Sequence, residues 1–425
     1  MSRKINLTEF TDQQLQKISQ ELNIEKEKSK YARNSVPDYI CLFEAEREYA
    51  YIPFAYNKNF NRPERKDFSV MNVEFKEQLR EEQKKVKDDA ISRLNSHGSV
   101  MISARCGFGK TFLAIYIATK IKLKTLILCH RIVLINQWKE SIEKVCPEAK
   151  IQILSSKCEM QECDFYIVNA TNVRKHDRLF YKDIGFVIVD EAHIVMAEKM
   201  SQCMQYLLPR YVLGLSATPY RVDGLDSLLE MYFGTYKIER KLFRKHLIYK
   251  INTGIVPDVK TNKMGKVDWS SVLESTCLNE HRNEMIINLV KYFPERIFLV
   301  LCKRVEQAKY LEKRLKEEKE DVTSLIGSNQ EYDKKSRILI GTVGKCSVGF
   351  DHARLDTMIL ASDVQQYFEQ YIGRIMRTQD GEPVIFDIVD KYPLLEKHFR
   401  SRSAVYTEMG GIVKDFKKCF PDFEI

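Results

Sequence analysis

The chain has 425 residues, 49.9 kDa, with 44% hydrophobic and 30% charged residues, which excludes a disordered or collagen-like polymer and suggests two or three domains. Its longest apolar runs, such as Ile297–Leu301, are strand-sized, far below the ~20 residues that cross a bilayer, and the first residues lack the apolar core of a secretory signal. The net charge of +9 is compatible with a polyanionic partner without demanding one. The eleven cysteines are scattered without a Cys-x-x-Cys pair, and Cys158, Cys163 and His176 make a poor zinc pattern. Reduced thiols in an intracellular compartment, with no membrane association, are the expectation.

Residues 1–36 read as a polar helix with a thin apolar stripe (Leu7, Phe10, Leu15, Ile18, Leu22) followed by a charged stretch. Residues 38–60 are rich in aromatics, and Tyr49–Pro53 suggests a hairpin. With Arg62, Arg65 and Lys66 behind them, these aromatics form either a small core or a base-stacking surface. From Val73 the texture changes. A helix over Val73–Leu94 is followed by short apolar runs at Ser99–Ala104, Thr125–Cys129, Asp164–Val168, Phe186–Val189 and Tyr211–Leu215, separated by helix-length segments. This alternation predicts a parallel sheet covered by helices. It lapses over the basic stretch from Lys237 to Ser271 and resumes at Ile297–Cys302, Val322–Ile326, Arg337–Thr342, Thr357–Ala361 and Pro383–Val389. The expected fold class is therefore α/β. Its expected organisation is an N-terminal accessory domain (1–72), a first parallel-sheet domain (73–236), a basic linker (237–280) and a second parallel-sheet domain (281–425).

The segment Ala104-Arg-Cys-Gly107-Phe108-Gly109-Lys110-Thr111 follows a predicted strand and opens a helix, the setting of a phosphate-binding loop. Gly107 and Gly109 let backbone N–H groups turn toward phosphates, Lys110 reaches the β- and γ-phosphates, and the Thr111 hydroxyl is placed for Mg²⁺. Farther on, Phe186-Val-Ile-Val-Asp190-Glu191-Ala-His193 delivers two carboxylates to the end of a buried strand. In that pairing Asp190 holds Mg²⁺ and Glu191 polarises the attacking water. ATP and Mg²⁺ are the expected cofactors.

Taken together with Ser216-Ala-Thr218 and Gln370-Tyr-Ile-Gly-Arg374-Ile-Met-Arg377, these segments resemble in order and spacing the motifs of superfamily 2 helicases of the Asp-Glu-Ala-His type, from about Leu79 to Asp390. Gly214–Gly224, Met231–Gly234 and Leu395–Gly410 look like the subgroup that holds the XPB repair helicase, phage UvsW-type helicases and the poxvirus transcript-release helicase, which points to a large DNA virus as the source. The resemblance implies two tandem RecA-like domains. Arg80 and Gln83 would read adenine, and the Gln83 amide has both donor and acceptor for a base edge. His193, Ser216, Thr218 and Gln370 would couple hydrolysis to movement. Arg374 and Arg377 would act as arginine fingers, and Gly349 and Asp351 would tie the second domain to nucleotide. For nucleic acid the candidates are Arg131, Asn169, Thr171, Lys303, Arg304 and Thr342, although His130-Arg131 stands where the family usually has Pro-Thr. Each of these can equally serve as a cap or a solvated surface group.

The activity implied is ATP-driven, 3′-to-5′ movement on DNA that unwinds or remodels duplexes or releases transcripts. Alternatives are an RNA-directed ATPase, the motor subunit of a restriction-type complex, and a non-hydrolysing module on the same fold. Implied partners are nucleic acid, DNA ahead of RNA, and transcription or replication machinery. The implied setting is the cytoplasm or nucleus of a host cell, or a virion.

Overall fold

A computed structural model describes the chain apart from positions 1, 26–38, 58–59, 106, 197–201, 219, 221–224, 262–264, 328–330, 347–351, 353, 366–367, 377–380 and 425. Its contacts divide the protein into two units, the first holding Met1–Ala104 and Phe108–Arg240 and the second Arg105–Gly107 and Lys241–Ile425.

The first unit opens with β1 (Ser2–Asn6), α1 (Asp12–Leu22), β2 (Asn23–Glu25), β3 (Tyr39–Cys41), β4 (Glu44–Glu46) and β5 (Tyr49–Pro53). A capping box between Thr11 and Gln14 starts α1. The hairpin expected at Tyr49–Pro53 exists: β4 and β5 pair antiparallel, and β1 adds to β5. Ile5, Leu22, Ile40, Ile52 and Phe54 are buried in the same apolar cluster as Val187, Val189 and Val212 of the large sheet, so the N-terminal region and that sheet share one core. Arg178 anchors it, reaching Glu44 at 2.6 Å and Glu46 at 3.1 Å with its guanidinium 3.8 Å from the Tyr51 ring centroid. Arg62 donates to the carbonyls of Leu94 and Asn95, and Arg65 to that of Ile121. These cations therefore close helix C-termini, as the dipole favours.

The next helix, α2 (Glu81–His97), begins eight residues later than the sequence predicts, because Arg80 takes the N-cap position with an extended backbone, φ −63° and ψ 153°. It stops where Gly98 turns left-handed at φ 82°. Then come β6 (Ser99–Ala104), α3 (Lys110–Ile121), β7 (Thr125–Cys129), α4 (Ile132–Val145), β8 (Ile151–Leu154), β9 (Phe165–Asn169), β10 (Phe186–Val189), α5 (Ala192–Val195), β11 (Tyr211–Ser216) and β12 (Lys237–Arg240). The strands form one all-parallel sheet in the order β12-β6-β11-β10-β7-β9-β8. Strands β6, β7, β10 and β11 are buried at every position, which explains their uninterrupted apolar runs.

A second all-parallel sheet is built from β13 (His246–Asn252), β14 (Phe298–Cys302), β15 (Val322–Leu325), β16 (Ile338–Thr342), β17 (Thr357–Leu360), β18 (Val384–Val389) and β19 (Gly411–Asp415), ordered β15-β16-β14-β17-β18-β13-β19. The architecture is thus the two RecA-like parallel-sheet domains that the sequence implied, with the N-terminal strands attached. The stretch expected as a basic linker is structured instead. It supplies β12 to the first sheet, β13 to the second and a helix at Trp269–Leu278. Its lysines hid β13: Lys250 lies within the strand and is neutralised by Glu396, at 2.7 and 2.9 Å from the two carboxylate oxygens.

The helix Pro393–Glu408 is held to the second sheet through a buried polar cluster. Arg402 binds both oxygens of Asp387 (2.9 and 2.8 Å), one oxygen of Asp363 (2.6 Å) and the Val364 carbonyl (3.2 Å), while the Tyr406 hydroxyl donates to Asp387 at 2.8 Å. Burial alone would lower the pKa of Arg402, but the Asp387 and Asp363 carboxylates outweigh it and raise it.

Candidate active site

Strand order decides which loops meet. Because β6, β11 and β10 are neighbours, the segments that succeed them, 104–111, 216–218 and 190–193, emerge side by side at the carboxyl edge of the first sheet. Ligands of open parallel sheets bind at that edge. The loop after β6 makes a left-handed turn at Gly107 (φ 78°) and again at Gly109 (φ 84°) before α3 starts at Lys110. Gly109 is the N-cap residue, and the first turn of α3 contains no acidic side chain, so the positive end of the helix is left open to an anion. The Lys110 ammonium donates to the Ala104 carbonyl at 2.8 Å and so lies folded along its own loop. Thr111 comes next in the first turn and is half-buried.

Arg80 and Gln83 brace this loop. The Gln83 side chain is buried; its amide N–H donates to the carbonyls of Phe108 (2.9 Å) and Gly109 (3.3 Å), and its oxygen accepts from the Arg80 backbone N–H at 2.9 Å. Arg80 also donates to the Phe108 carbonyl. Both ends of the Gln83 amide are therefore engaged by protein rather than presented outward. A Cβ on Gly109 would stand 2.6 Å from Gln83 Nε2 and 2.7 Å from Arg80 Nη2, so only glycine fits between this brace and the loop.

Asp190 is buried, with one carboxylate oxygen accepting from the Trp138 indole N–H at 2.8 Å and the other from the Glu191 backbone N–H at 3.0 Å. Burial, and then the adjacent Glu191 charge, push its carboxyl up to about 6, against the pull of Trp138 and Lys110. Glu191 adopts a left-handed backbone, φ 46° and ψ 54°, a strained state for a residue with a side chain and one that clusters at functional sites. Its Oε2 is buried, lies 3.5 Å from His193 Nδ1 and has no hydrogen-bond donor among the described residues. His193 instead shares a 2.8 Å hydrogen bond with Ser216 Oγ, which donates to the Thr218 carbonyl at 2.6 Å and accepts from its N–H at 3.0 Å. This chain of contacts joins the segment after β10 to that after β11.

A glycine-lined turn, a cation and an adjacent acid pair, Asp190 buried and Glu191 half-buried, suit a nucleoside triphosphate with its divalent cation. Trp138 was not singled out by sequence reasoning. It sits 52 positions before Asp190, and the only hint was its place in an apolar helix pattern after β7.

Other candidates sort differently. Asn169 caps a short 3₁₀ turn, its side-chain oxygen accepting from the Thr171 N–H (3.0 Å) and hydroxyl (2.7 Å). Arg131 is exposed at the start of α4. His130, half-buried beside it, is pushed down to about 4 by burial and by Arg131 and His193. In the second unit Gln370 and Arg374 are buried on the helix Phe368–Ile375. Lys303 and Arg304 come directly after β14, and Thr342 ends the adjacent β16. Arg304 donates to Ser270 Oγ at 2.6 Å. Arg377, Gly349 and Asp351 lie outside the described residues.

Comparison with known proteins agrees with the motif order. Residues 76–221 match the family model described as "Type III restriction enzyme, res subunit". "Putative helicase 161L" of Invertebrate iridescent virus 6 is 44% identical, over 98% of this chain and 100% of the relative. "Putative helicase 055L" of Frog virus 3 is 32% identical over 80% of each chain. "Putative ATP-dependent RNA helicase L396" of Acanthamoeba polyphaga mimivirus is 28% identical over 76% of this chain and 66% of the relative. No helix among the described residues is long and apolar enough to cross a membrane. With 98% of its length matched by an iridescent-virus relative at 44% identity and its motifs on two parallel sheets, the chain belongs to the superfamily 2 helicases of large DNA viruses.

Proposed function

We propose that this helicase hydrolyses Mg²⁺-bound ATP at the carboxyl edge of the first sheet and uses the energy to move 3′-to-5′ along DNA, unwinding or remodelling duplexes or releasing transcripts. The observation that carries the hydrolytic part is the convergence of the loop at 104–111 with Asp190, Glu191 and Ser216 at the ends of three adjacent strands, where Glu191 Oε2 is buried and accepts no hydrogen bond from the described residues. When bound, the cation neutralises charge on the phosphate oxygens and the triphosphate supplies the bond to be cleaved. Lys110 leaves the Ala104 carbonyl to bind the β- and γ-phosphate oxygens. Thr111 and Asp190 hold the cation. Glu191 accepts a hydrogen bond from the attacking water and orients it. Arg80 and Gln83 hold the Phe108 carbonyl so that the loop keeps its shape, and to read adenine the Gln83 amide would have to exchange its bonds to the Arg80 N–H and the loop carbonyls for the base edge. His193, Ser216 and Thr218 carry the change at Glu191 to the end of β11. By the resemblance, Arg374 and Arg377 are the candidate arginine fingers and Gly349 and Asp351 the candidates for coupling to nucleotide, Arg377, Gly349 and Asp351 lying outside the described residues. Arg131, Thr171, Lys303, Arg304 and Thr342 contact the strand through its phosphates, which grips without reading sequence.

A second reading, an RNA-directed ATPase of the same build, is favoured by the name of the mimivirus relative. One experiment separates the two. Mg²⁺-dependent ATP hydrolysis is measured without polymer and with single-stranded, duplex and branched DNA and with RNA, beside Lys110→Ala as the inactive control. Stimulation by DNA supports the first reading, stimulation by RNA alone supports the second, and hydrolysis undiminished in Lys110→Ala removes the phosphate-loop assignment.

A further inference from the structure

The second unit contains a cavity of about 480 Å³ that the hydrolytic site does not use. Its volume lies within the range of small-ligand sites. It opens at the carboxyl edge of the second sheet, where β16, β14 and β17 are neighbours and contribute Val343, Lys303 and Gln365 just beyond their ends. Helices complete it with Trp269, Tyr371 and His398.

Three features set its chemistry. First, Trp269 is only half-buried although it is a large apolar side chain, and its indole meets the His398 ring edge-on, centroids 5.3 Å apart at 73°. One aromatic face thus lines an opening instead of filling a core. Second, His398 is fixed in place. Its Nδ1 lies 2.8 Å from the buried Asp363 carboxylate, which Arg402 holds at 2.6 Å from the other oxygen, so a hydrogen bond to a ligand falls to Nε2. Third, the Lys303 side chain is half-buried in the wall, and burial lowers its pKa against the opposing pull of the Asp363 carboxylate, so an anion in the cavity would offset the remaining desolvation cost. Tyr371 adds an apolar wall, its hydroxyl already donating to the Val343 carbonyl at 3.1 Å. The Arg304 to Ser270 hydrogen bond ties the residue next to Trp269 to the end of β14. An aromatic face, a fixed imidazole and a single cation are complementary to a flat, hydrogen-bonding heteroaromatic ring joined to one phosphate.

We propose that this cavity receives one unstacked nucleobase of the bound strand, its ring stacked on Trp269 and its adjoining phosphate on Lys303. The proposal rests on the reading of the protein as a nucleic-acid motor and adds a site that grips a base as well as the backbone. It makes single-stranded polymer the preferred track, because a base must leave its helical stack to enter.

The chain holds two tryptophans, and Trp138 is 1% exposed, so fluorescence quenching by polymer reports on Trp269. The full-length protein is titrated with oligodeoxythymidylate, oligouridylate and an abasic oligodeoxyribose phosphate of equal length, with both quenching and anisotropy recorded. The expected result is quenching by a base-bearing oligomer and none on binding the abasic one, with the stronger of the two base-bearing oligomers naming DNA or RNA as the track. Trp269→Ala should weaken the base-bearing oligomer about tenfold while abasic affinity holds, and Trp269→Phe should keep most of the affinity. Equal quenching by the abasic oligomer, or an equal loss for all oligomers in a Trp269→Ala protein with wild-type thermal unfolding, would overturn the base site and leave the nucleic-acid motor standing. Failure of every oligomer to bind the wild-type protein would remove both.

Discussion

Replacing Arg402 by methionine should destabilise the second unit far more than any surface charge deletion. The guanidinium is 4% exposed and lies between Asp387, 0% exposed, and Asp363, 5% exposed. Removing it strands two carboxylates that cannot reach water, and breaking a buried pair in this way costs about 3–5 kcal/mol. Three contacts soften the loss: Tyr406 still donates to Asp387, and His398 and Gln365 still reach Asp363. The lower end, about 3 kcal/mol, is therefore expected, which for a unit of this size corresponds to a melting shift of about 6–12 °C. Thermal unfolding of the full-length protein, with the second unit's transition resolved by calorimetry, measures it. A double variant adds a stricter test. Arg402→Met combined with Asp387→Asn removes both charges of the Arg402–Asp387 pair, leaves Asp363 to His398 and Gln365, and should recover about half of the loss, since uncharged replacement of a buried pair is often near neutral. A single variant that melts within about 2 °C of wild type, or a double variant that melts lower than the single, would refute the reasoning.

Three further outcomes test the first unit. Trp138→Phe deletes one hydrogen bond to the Asp190 carboxylate, worth about 1.5–3 kcal/mol, and should raise the Mg²⁺ concentration for half-maximal hydrolysis at least tenfold; a lower melting point with an unchanged Mg²⁺ requirement would reduce Trp138 to packing. Gly109→Ala forces a side chain into φ 84° at a cost of about 1–2 kcal/mol and drives a Cβ into Gln83 and Arg80; binding of a fluorescent ATP analogue should weaken more than tenfold, and wild-type affinity would show that the brace yields freely. Glu191→Gln keeps the shape and the left-handed backbone demand but removes the acceptor charge, so ATP binding should persist while turnover falls about 10²–10⁴-fold; turnover within a factor of two of wild type would assign the water to another group.

Much of the fold is legible in the residues alone. Fully buried parallel strands are apolar at most consecutive positions, so β6, β7, β10, β11, β14 and β16 show as short runs, and the loop at 104–111 shows because strand, glycines and helix are contiguous. Signals that depend on partners do not show. Strand β13 carries Lys250 and looks like linker, because the Glu396 that neutralises it lies 146 positions away. Asn169 caps its own turn, a use that a polar residue at a strand end shares with ligand contact in any sequence.

By itself, then, the sequence determined the class of both sheets, the glycine loop at 104–111 and the acid pair after β10, because each is set by local periodicity, glycine conformation or residues in unbroken succession. The tertiary structure alone decided that β11 lies between β6 and β10, so that Ser216 meets His193, that Trp138 holds Asp190, and that the N-terminal strands share the first unit's core. The same is true of the cavity that brings Trp269 to His398 across more than a hundred residues of chain. These pairings are non-local: each becomes favourable only after the entropy of closing a long loop has been met by burial of the whole sheet, and no short stretch of sequence carries that information.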